Sequence, residues 1–176
     1  MDLNIRIENA IRWIDALDTK EGYRKTINRL GRVDQPEALG KRKIFAHVKD
    51  YKTEARFCCL GVACLSLKME NEIDLSTSYD NSVEYPLGLN TGAAFMDMGF
   101  ASVKLRLKED GSTEVFDRNH VPEGSIAVFF ESLPDINDRL FEKDVDFSRV
   151  RKFILENLDY TFIPEVAEGL KKHYNK

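Results

Sequence analysis

Two adjacent cysteines, Cys58 and Cys59, are the residues of this sequence with the clearest potential for chemistry. They stand near the start of a predicted helix, where unpaired backbone amides and the helix dipole lower the pKa of a thiol and favour the nucleophilic thiolate. A cysteine nucleophile also needs a base, normally a histidine that an Asn or Asp orients. His47 and His120 are the candidate bases, so these four residues together are the candidate catalytic group.

Packing is the favoured interpretation of the same cysteines, because free Cys is among the most buried residue types and behaves as a small apolar side chain. The stretch 56–69 leaves almost no polar face, which predicts a helix buried on most sides. A glycine inside it predicts the close approach of another backbone. We therefore expect a structural core that contains Trp13, Leu60, Gly61, Val62, Cys64, Phe147 and Val150.

Three further residues are candidates for binding a ligand: Arg56, Asn137 and Asp138. The Asn-Asp pair has two interpretations. Short polar side chains of this kind usually hydrogen-bond nearby backbone and hold a turn or a cap, and this is the favoured interpretation. The other is a polar clamp for a ligand or a partner of a cysteine.

The spacing of ligating residues predicts neither a metal site nor a cofactor. Cys59 and Cys64 are five residues apart with no second Cys or His pair at a zinc-binding spacing. The run from Asp135 lacks the Gly and the Glu of a calcium loop. No glycine-rich phosphate loop or Gly-x-Ser-x-Gly turn occurs.

The composition predicts one soluble domain spanning residues 1–176. Hydrophobic residues make up 43% and charged residues 32% of the chain, a balance typical of globular proteins. The net charge of −4 excludes a general attraction to nucleic acid. No apolar run is long enough to span a bilayer, and the charged first nine residues do not resemble a signal peptide, so we expect no membrane association and a cytoplasmic protein.

The periodicity predicts an α+β fold in which several helices pack on a small antiparallel sheet. Ile7, Ile11, Ile14 and Leu17 recur at helical spacing, whereas 19–50 reads as mostly loop with a strand at 43–48. Alternation at 103–107 and 113–116 around Asp-Gly predicts a hairpin, and 125–130 predicts a third strand. Other predicted elements are a connection at 71–90, a helix capped by Thr91, a short helix at 133–140, a helix capped by Asp146 that carries Phe147 to Leu158, and a last helix that starts at Pro164.

Four segments in order resemble a family of small bacteriophage proteins of unassigned function that share a Cys-Cys-Leu-Gly-Val motif. The segments are Trp13-Ile-Asp-Ala-Leu17, Phe57-Cys-Cys-Leu-Gly-Val-Ala-Cys64, Ile136-Asn-Asp138 and Phe147-Ser-Arg-Val150. The resemblance implies a phage-encoded protein in the cytoplasm of a bacterial host, with 101–130 as an inserted β-hairpin region. It implies no reaction.

Two functions remain open at this point. The leading hypothesis is a non-enzymatic accessory protein that binds a host protein or a small signalling molecule, with interference in host defence as one form of that role. The alternative is a cysteine-dependent hydrolase or transferase in which Cys58 or Cys59 attacks, a histidine is the base and Asn137 or Asp138 orients it. The sequence does not fix the partner or the oligomeric state.

Overall fold

The computed structural model has an α+β fold, which confirms the predicted class. It describes residues 2–26, 30–35, 48–69, 87, 103–107, 113–116, 127–131, 137–138 and 146–175. The α-helices within these ranges are α1 Leu3–Ala16, α2 Tyr51–Glu54, α3 Cys59–Ser66, α4 Ser148–Glu156, α5 Leu158–Thr161 and α6 Pro164–Tyr174, and Thr19–Glu21 forms a short 3-10 helix. The strands are β1 Gly31–Val33, β2 Ala55–Phe57, β3 Val103–Leu107, β4 Thr113–Phe116 and β5 Ala127–Glu131.

Helix α1 forms where the spacing of isoleucines predicts it and packs on α3 and α6. Asp2 begins it, since its carboxylate accepts a hydrogen bond of 2.8 Å from the Asn4 amide and satisfies one of the unpaired amides of the first turn. The residues of the stripe that are fully buried are Ala10, Trp13, Ile14 and Leu17. Ile7 and Ile11 are partly buried at its border. The stripe therefore faces the core along one side of the helix.

Strands β1 and β2 pair antiparallel, with Arg32 directly opposite Arg56. In both strands the middle residue is exposed and its neighbours are buried. On its other side β2 meets the segment before residue 27, because the Thr26 amide donates to the Phe57 carbonyl and the Phe57 amide donates to the Arg24 carbonyl, each at 2.8 Å. Strand β2 is thus held from both sides.

Helix α3 is shorter than the sequence predicts. The predicted helix over 56–69 was wrong at its beginning, because Arg56 and Phe57 belong to β2 and the helix starts at Cys59. Gly61 has the predicted role: a Cβ atom there would overlap the carbonyl oxygen of Leu30. The glycine therefore lets the chain beside β1 lie directly against the helix.

The second sheet has the order β4-β3-β5, with both pairs antiparallel. Leu105 lies opposite Val115 in β4 and opposite Phe129 in β5. The predicted hairpin and third strand are confirmed. The third strand covers Ala127–Glu131, slightly later than predicted.

The C-terminal part is helical, as predicted, but is divided differently. Asp146 accepts a hydrogen bond of 2.9 Å from the Ser148 amide, but the residue directly before α4 is Phe147, so Asp146 lies one position earlier than a helix cap. The helix ends at Glu156, and Leu158 begins a separate short helix, whereas the sequence predicted one helix through Leu158. Pro164 begins α6, a position where its missing amide proton costs nothing.

Several predicted elements lie outside the described residues. Among them are the helix capped by Thr91 and most of the connection 71–90, of which only Leu87 is described and fully buried. The strand predicted at 43–48 is also outside, apart from Val48, which is not part of a strand. Of the helix predicted at 133–140, residues 137 and 138 are described and are helical. No described helix is long and apolar enough to cross a membrane.

Candidate functional site

The cysteine pair lies where β2 passes into α3, and it is buried. Cys58 is the residue before the helix and Cys59 is its first residue. Cys58 is 6% exposed, whereas Cys59 and Cys64 are completely buried. The predicted core residues Trp13, Leu60, Gly61, Val62, Phe147 and Val150 are buried too.

The two neighbouring thiols have opposite pKa shifts. Burial alone would raise the pKa of Cys58, but the Cys59 thiol and the Gly61 and Leu60 amides outweigh it and lower that pKa. The two amides lower the pKa of Cys58, although the Cys58 side chain forms no capping hydrogen bond at the start of α3. Burial, followed by the adjacent Cys58 sulfur, raises the pKa of Cys59 well above its ordinary value. These directions favour Cys58 over Cys59 as the nucleophile of the pair.

Asn137 contacts the first turn of α3 through its side chain. Its Oδ1 accepts a hydrogen bond of 3.2 Å from the Cys59 amide. Its Nδ2 donates to the Thr26 carbonyl and to the Asp138 carboxylate, both at 2.9 Å. Asn137 is completely buried, so its polar atoms cannot hydrogen-bond to bulk water and are satisfied by these groups of the protein instead. The side chain joins three segments that are far apart in sequence.

The backbone around the cysteines is held at four points. Besides the bond from Asn137, the Cys58 amide donates to the Leu30 carbonyl at 3.1 Å, and the Val62 amide donates to the Cys58 carbonyl at the same distance. The Trp13 indole Nε1 donates to the Cys59 carbonyl at 2.8 Å. We refer to the four residues Trp13, Cys58, Cys59 and Asn137 as the thiol junction.

Charged groups near the thiol junction are Asp138 and Lys25. The Asp138 carboxylate opposes ionisation of both cysteines, whereas the Lys25 cation favours that of Cys59. Lys25 is only 7% exposed and pairs with Phe57 through a parallel bridge beside β2. Sequence reasoning missed Lys25 because the segment around it has no periodic pattern. The same is true of Thr26, whose carbonyl is the acceptor for Asn137.

The structure brings the cysteines together with Asn137 and Asp138 but describes neither candidate base. His47 and His120 lie outside the described residues. His173 lies on α6, where its ring packs edge-on against Tyr174 with ring centroids 4.7 Å apart. No described histidine acts on the pKa of either cysteine.

Arg56 lies apart from the thiol junction, on the outward face of β2. Its Nε is 3.2 Å from one oxygen of Asp34, and the other oxygen of Asp34 is 2.6 Å from Arg24 Nη2. Arg24 also donates to the carbonyls of Lys52 and Thr53. Burial would raise the pKa of Asp34, but the hydrogen bonds from Arg24 and Arg56 lower it, so the carboxylate stays ionised. We call Arg24, Arg32, Asp34 and Arg56 the arginine cluster.

A shallow cleft of about 280 Å³ lies between the end of α1 and α4. Its lining includes Leu17, Asp18, Arg151 and Leu155. Arg151 is already engaged there: its Nε donates to the Ile14 carbonyl at 3.1 Å and its Nη2 is 3.8 Å from Asp18. The Arg151 side chain in this cleft therefore links α4 to the end of α1.

Among the described residues, no three His, Cys, Asp or Glu side chains are placed to hold a metal ion. No family model, curated protein or solved structure matches this chain.

Proposed function

We propose that this protein is a phage-encoded accessory protein that acts in the cytoplasm of a bacterial host by binding a host protein or a small signalling molecule. The Cys-Cys-Leu-Gly-Val motif supports the phage origin by resemblance. One observation supports the binding role: the side chains best suited to catalysis, those of Cys58, Cys59 and Asn137, are buried. The side-chain amide of Asn137 also forms its hydrogen bonds with groups of the protein itself. A protein built this way acts through its surface, and interference with host defence is one form of that role.

A cysteine-dependent hydrolase or transferase is the second candidate, and the lowered pKa of Cys58 favours it. In that case Cys58 attacks, His47 or His120 takes its proton, and Asn137 or Asp138 orients the imidazole. The geometry of Asn137 opposes that assignment, because its Oδ1 faces the Cys59 amide and its Nδ2 faces the Thr26 carbonyl. An orienting Asn needs one of these groups for the imidazole.

The variant Cys58→Ser separates the two candidates. Serine is a preferred residue at the position before a helix, so this change retains or improves the cap of α3 while removing the nucleophile. Cys64→Ser is the matched control, since it removes a buried thiol from the same helix away from its N-terminus. Both variants and the parent chain are purified from a bacterial host lysate and weighed by native mass spectrometry.

We expect the same bound protein or small molecule on the parent chain and on Cys58→Ser, and the purified partner to rebind both with equal affinity. Loss of binding only in Cys58→Ser, or a covalent adduct on Cys58, would support the enzyme. A parent chain that emerges from host lysate as an empty monomer contradicts the accessory role. A native Cys58 that alkylates rapidly with a pKa of about 6 or lower would also favour the enzyme.

A further inference from the structure

The outward face of β1 and β2 places two arginines side by side. Hydrogen bonds from Cys58 to Leu30 and from Asp34 to Glu54 lie on either side of Arg32 and Arg56. This alternation puts the two arginines at a hydrogen-bonded pair of the ladder, where the Cα atoms are about 5.5 Å apart. Because both residues are exposed and directly opposed, their side chains leave the sheet on the same face.

The guanidinium of Arg56 is fixed in orientation by the arginine cluster. Asp34 accepts from its Nε, and Arg24 holds Asp34 from the other side. Arg24 is itself fixed by the Lys52 and Thr53 carbonyls. The two Nη groups of Arg56 have no hydrogen-bond partner among the described residues, and its side chain is 48% exposed. The bond to Asp34 therefore engages Nε and leaves the two Nη groups as donors for a ligand.

Arg32 adds a second guanidinium, which no acid of the described residues neutralises. Within the described part of the chain its side chain forms no ion pair or hydrogen bond. Like charges placed directly opposite on two strands destabilise a sheet, so this arrangement costs stability. Glu54 stands one position beyond Ala55, and it makes no ion pair with Arg24, Arg32 or Arg56. Among the described residues, Asp34 is the carboxylate that pairs with this cluster, and it contacts Arg24 and Arg56 but not Arg32.

We propose that the arginine cluster binds a phosphate monoester, with Arg56 and Arg32 as the contacting residues and Asp34 and Arg24 as positioning residues. The three guanidiniums and the Asp34 carboxylate leave an excess of positive charge in the cluster, with Glu54 as a further acid beside it, and this excess attracts the charge of about −1.5 to −2 that a phosphate monoester carries at pH 7. Arginine suits this group because its planar donors bind phosphate oxygens two at a time. The proposal rests on the binding role proposed above and names the chemistry of the ligand.

Isothermal titration of the full chain tests this assignment with three probes: inorganic phosphate, a nucleoside monophosphate and a phosphoserine peptide. We expect saturable binding that Arg32→Gln and Arg56→Gln each weaken by about tenfold, since each removes charge-assisted hydrogen bonds to the phosphate. Arg12→Gln is the matched control, because Arg12 is exposed on α1 and its loss changes the net charge equally. Its affinity should stay within about twofold of the parent chain.

Two more variants give independent readouts. Glu54→Gln removes the nearby acid and should tighten binding by about twofold to threefold, as expected for an exposed charge in salt solution. Arg32→Lys keeps the charge but loses the planar fork, so its affinity should fall between those of the parent chain and Arg32→Gln. It also replaces Arg32→Gln if that variant does not fold.

The probes identify the source of the phosphate. Tighter binding of the nucleotide assigns a small molecule, and tighter binding of the peptide assigns a phosphorylated protein. Absence of saturable binding for all three probes overturns the proposal, as does an equal loss in Arg12→Gln. So does an Arg32→Gln variant that aggregates but binds normally, because the arginines then only protect an exposed strand. If the probes fail while native mass spectrometry still finds a partner, the accessory role stands and only the phosphate assignment is wrong.

Discussion

The thiol junction and the arginine cluster meet in the segment 56–59, but their polar groups are arranged in opposite ways. At the thiol junction the reactive residues are buried, and the surrounding backbone has partners within the chain. At the arginine cluster Arg32 and Arg56 remain exposed, and among the described residues Asp34 is the one carboxylate that pairs with these guanidiniums. The residue types alone would rank the cysteines first as a functional site. The hydrogen-bond partners reverse that order, because groups satisfied inside the fold are not available to a ligand.

The largest expected effect concerns the close approach behind the thiol junction. Gly61→Ala should lower the free energy of unfolding by about 3 kcal/mol, since its Cβ would overlap the Leu30 carbonyl, which is backbone and cannot rotate away. Gly169→Ala in α6 is the control. There the close atoms all belong to the Ile7 side chain, which is only partly buried and can rotate, so the change should cost less, about 1 kcal/mol.

Urea unfolding followed by circular dichroism measures both glycine variants. If Gly61→Ala is as stable as Gly169→Ala, the tight contact that fixes the start of α3 is not present, and the contrast with the arginine cluster loses its basis.

The second prediction concerns thiol reactivity. Iodoacetamide should modify all three cysteines of the native protein at least about 100-fold more slowly than in urea, because the sulfurs must wait for local opening. Among them Cys58 should react first, since it is the one with partial exposure and a lowered pKa. Peptide mapping by mass spectrometry locates each adduct. If Cys58 reacts at the same rate in native protein and in urea, its sulfur is accessible to solvent. The contrast between a buried thiol junction and an exposed arginine cluster is then wrong.

The third prediction concerns the buried amide. Asn137→Ala should destabilise the protein by about 2 to 3 kcal/mol, because the Cys59 amide and the Thr26 carbonyl lose a buried partner. The control is Asn157→Ala, which removes one partly buried bond to the Phe153 carbonyl and should cost about 1 kcal/mol or less. Equal unfolding midpoints for the two variants would mean that Asn137 does not hold the junction together.

The smallest expected effect lies in the arginine cluster and depends on pH. The folded state lowers the pKa of Asp34, so this carboxylate stabilises the fold above its ordinary pKa of about 4 and loses that contribution as pH falls through its lowered value. Exposure and solvent screening limit the contribution to about 0.5 kcal/mol. In Asp34→Asn the free energy of unfolding should therefore fall slightly less steeply as the pH is lowered. At neutral pH it should differ from that of the parent chain by no more than this amount.

Thermal unfolding between pH 3 and 7, compared with the control Glu8→Gln at an exposed position of α1, detects the change. A large loss of stability in Asp34→Asn at neutral pH would show that the arginine cluster is structural, like the thiol junction.

Sequence reasoning succeeded where a pattern is local. Helix α1 follows from isoleucines at helical spacing, and the β3-β4 hairpin follows from strict alternation around Asp-Gly. The role of Gly61 follows from a glycine inside an apolar helix. In each case the signal lies within a few residues of the feature that it predicts.

It failed where a strand is short or a contact is distant. Strand β1 has three residues, too few for alternation to stand out, and β2 runs directly into the apolar start of α3. The bond from Asn137 to Cys59 joins positions 78 residues apart, so no local pattern announces it. The pairing of Arg32 with Arg56 depends on β1, and was missed with it.

The single tryptophan gives this protein a built-in optical reporter. Trp13 is fully buried, its indole proton is bound to the Cys59 carbonyl, and Phe162 lies edge-on at 6.1 Å between ring centroids. Tryptophan fluorescence therefore reports on one site, the start of α3, because the chain has no second tryptophan whose emission would overlap. A red shift of the emission marks the moment when water reaches that entry, and a ligand that leaves the wavelength unchanged binds without opening it.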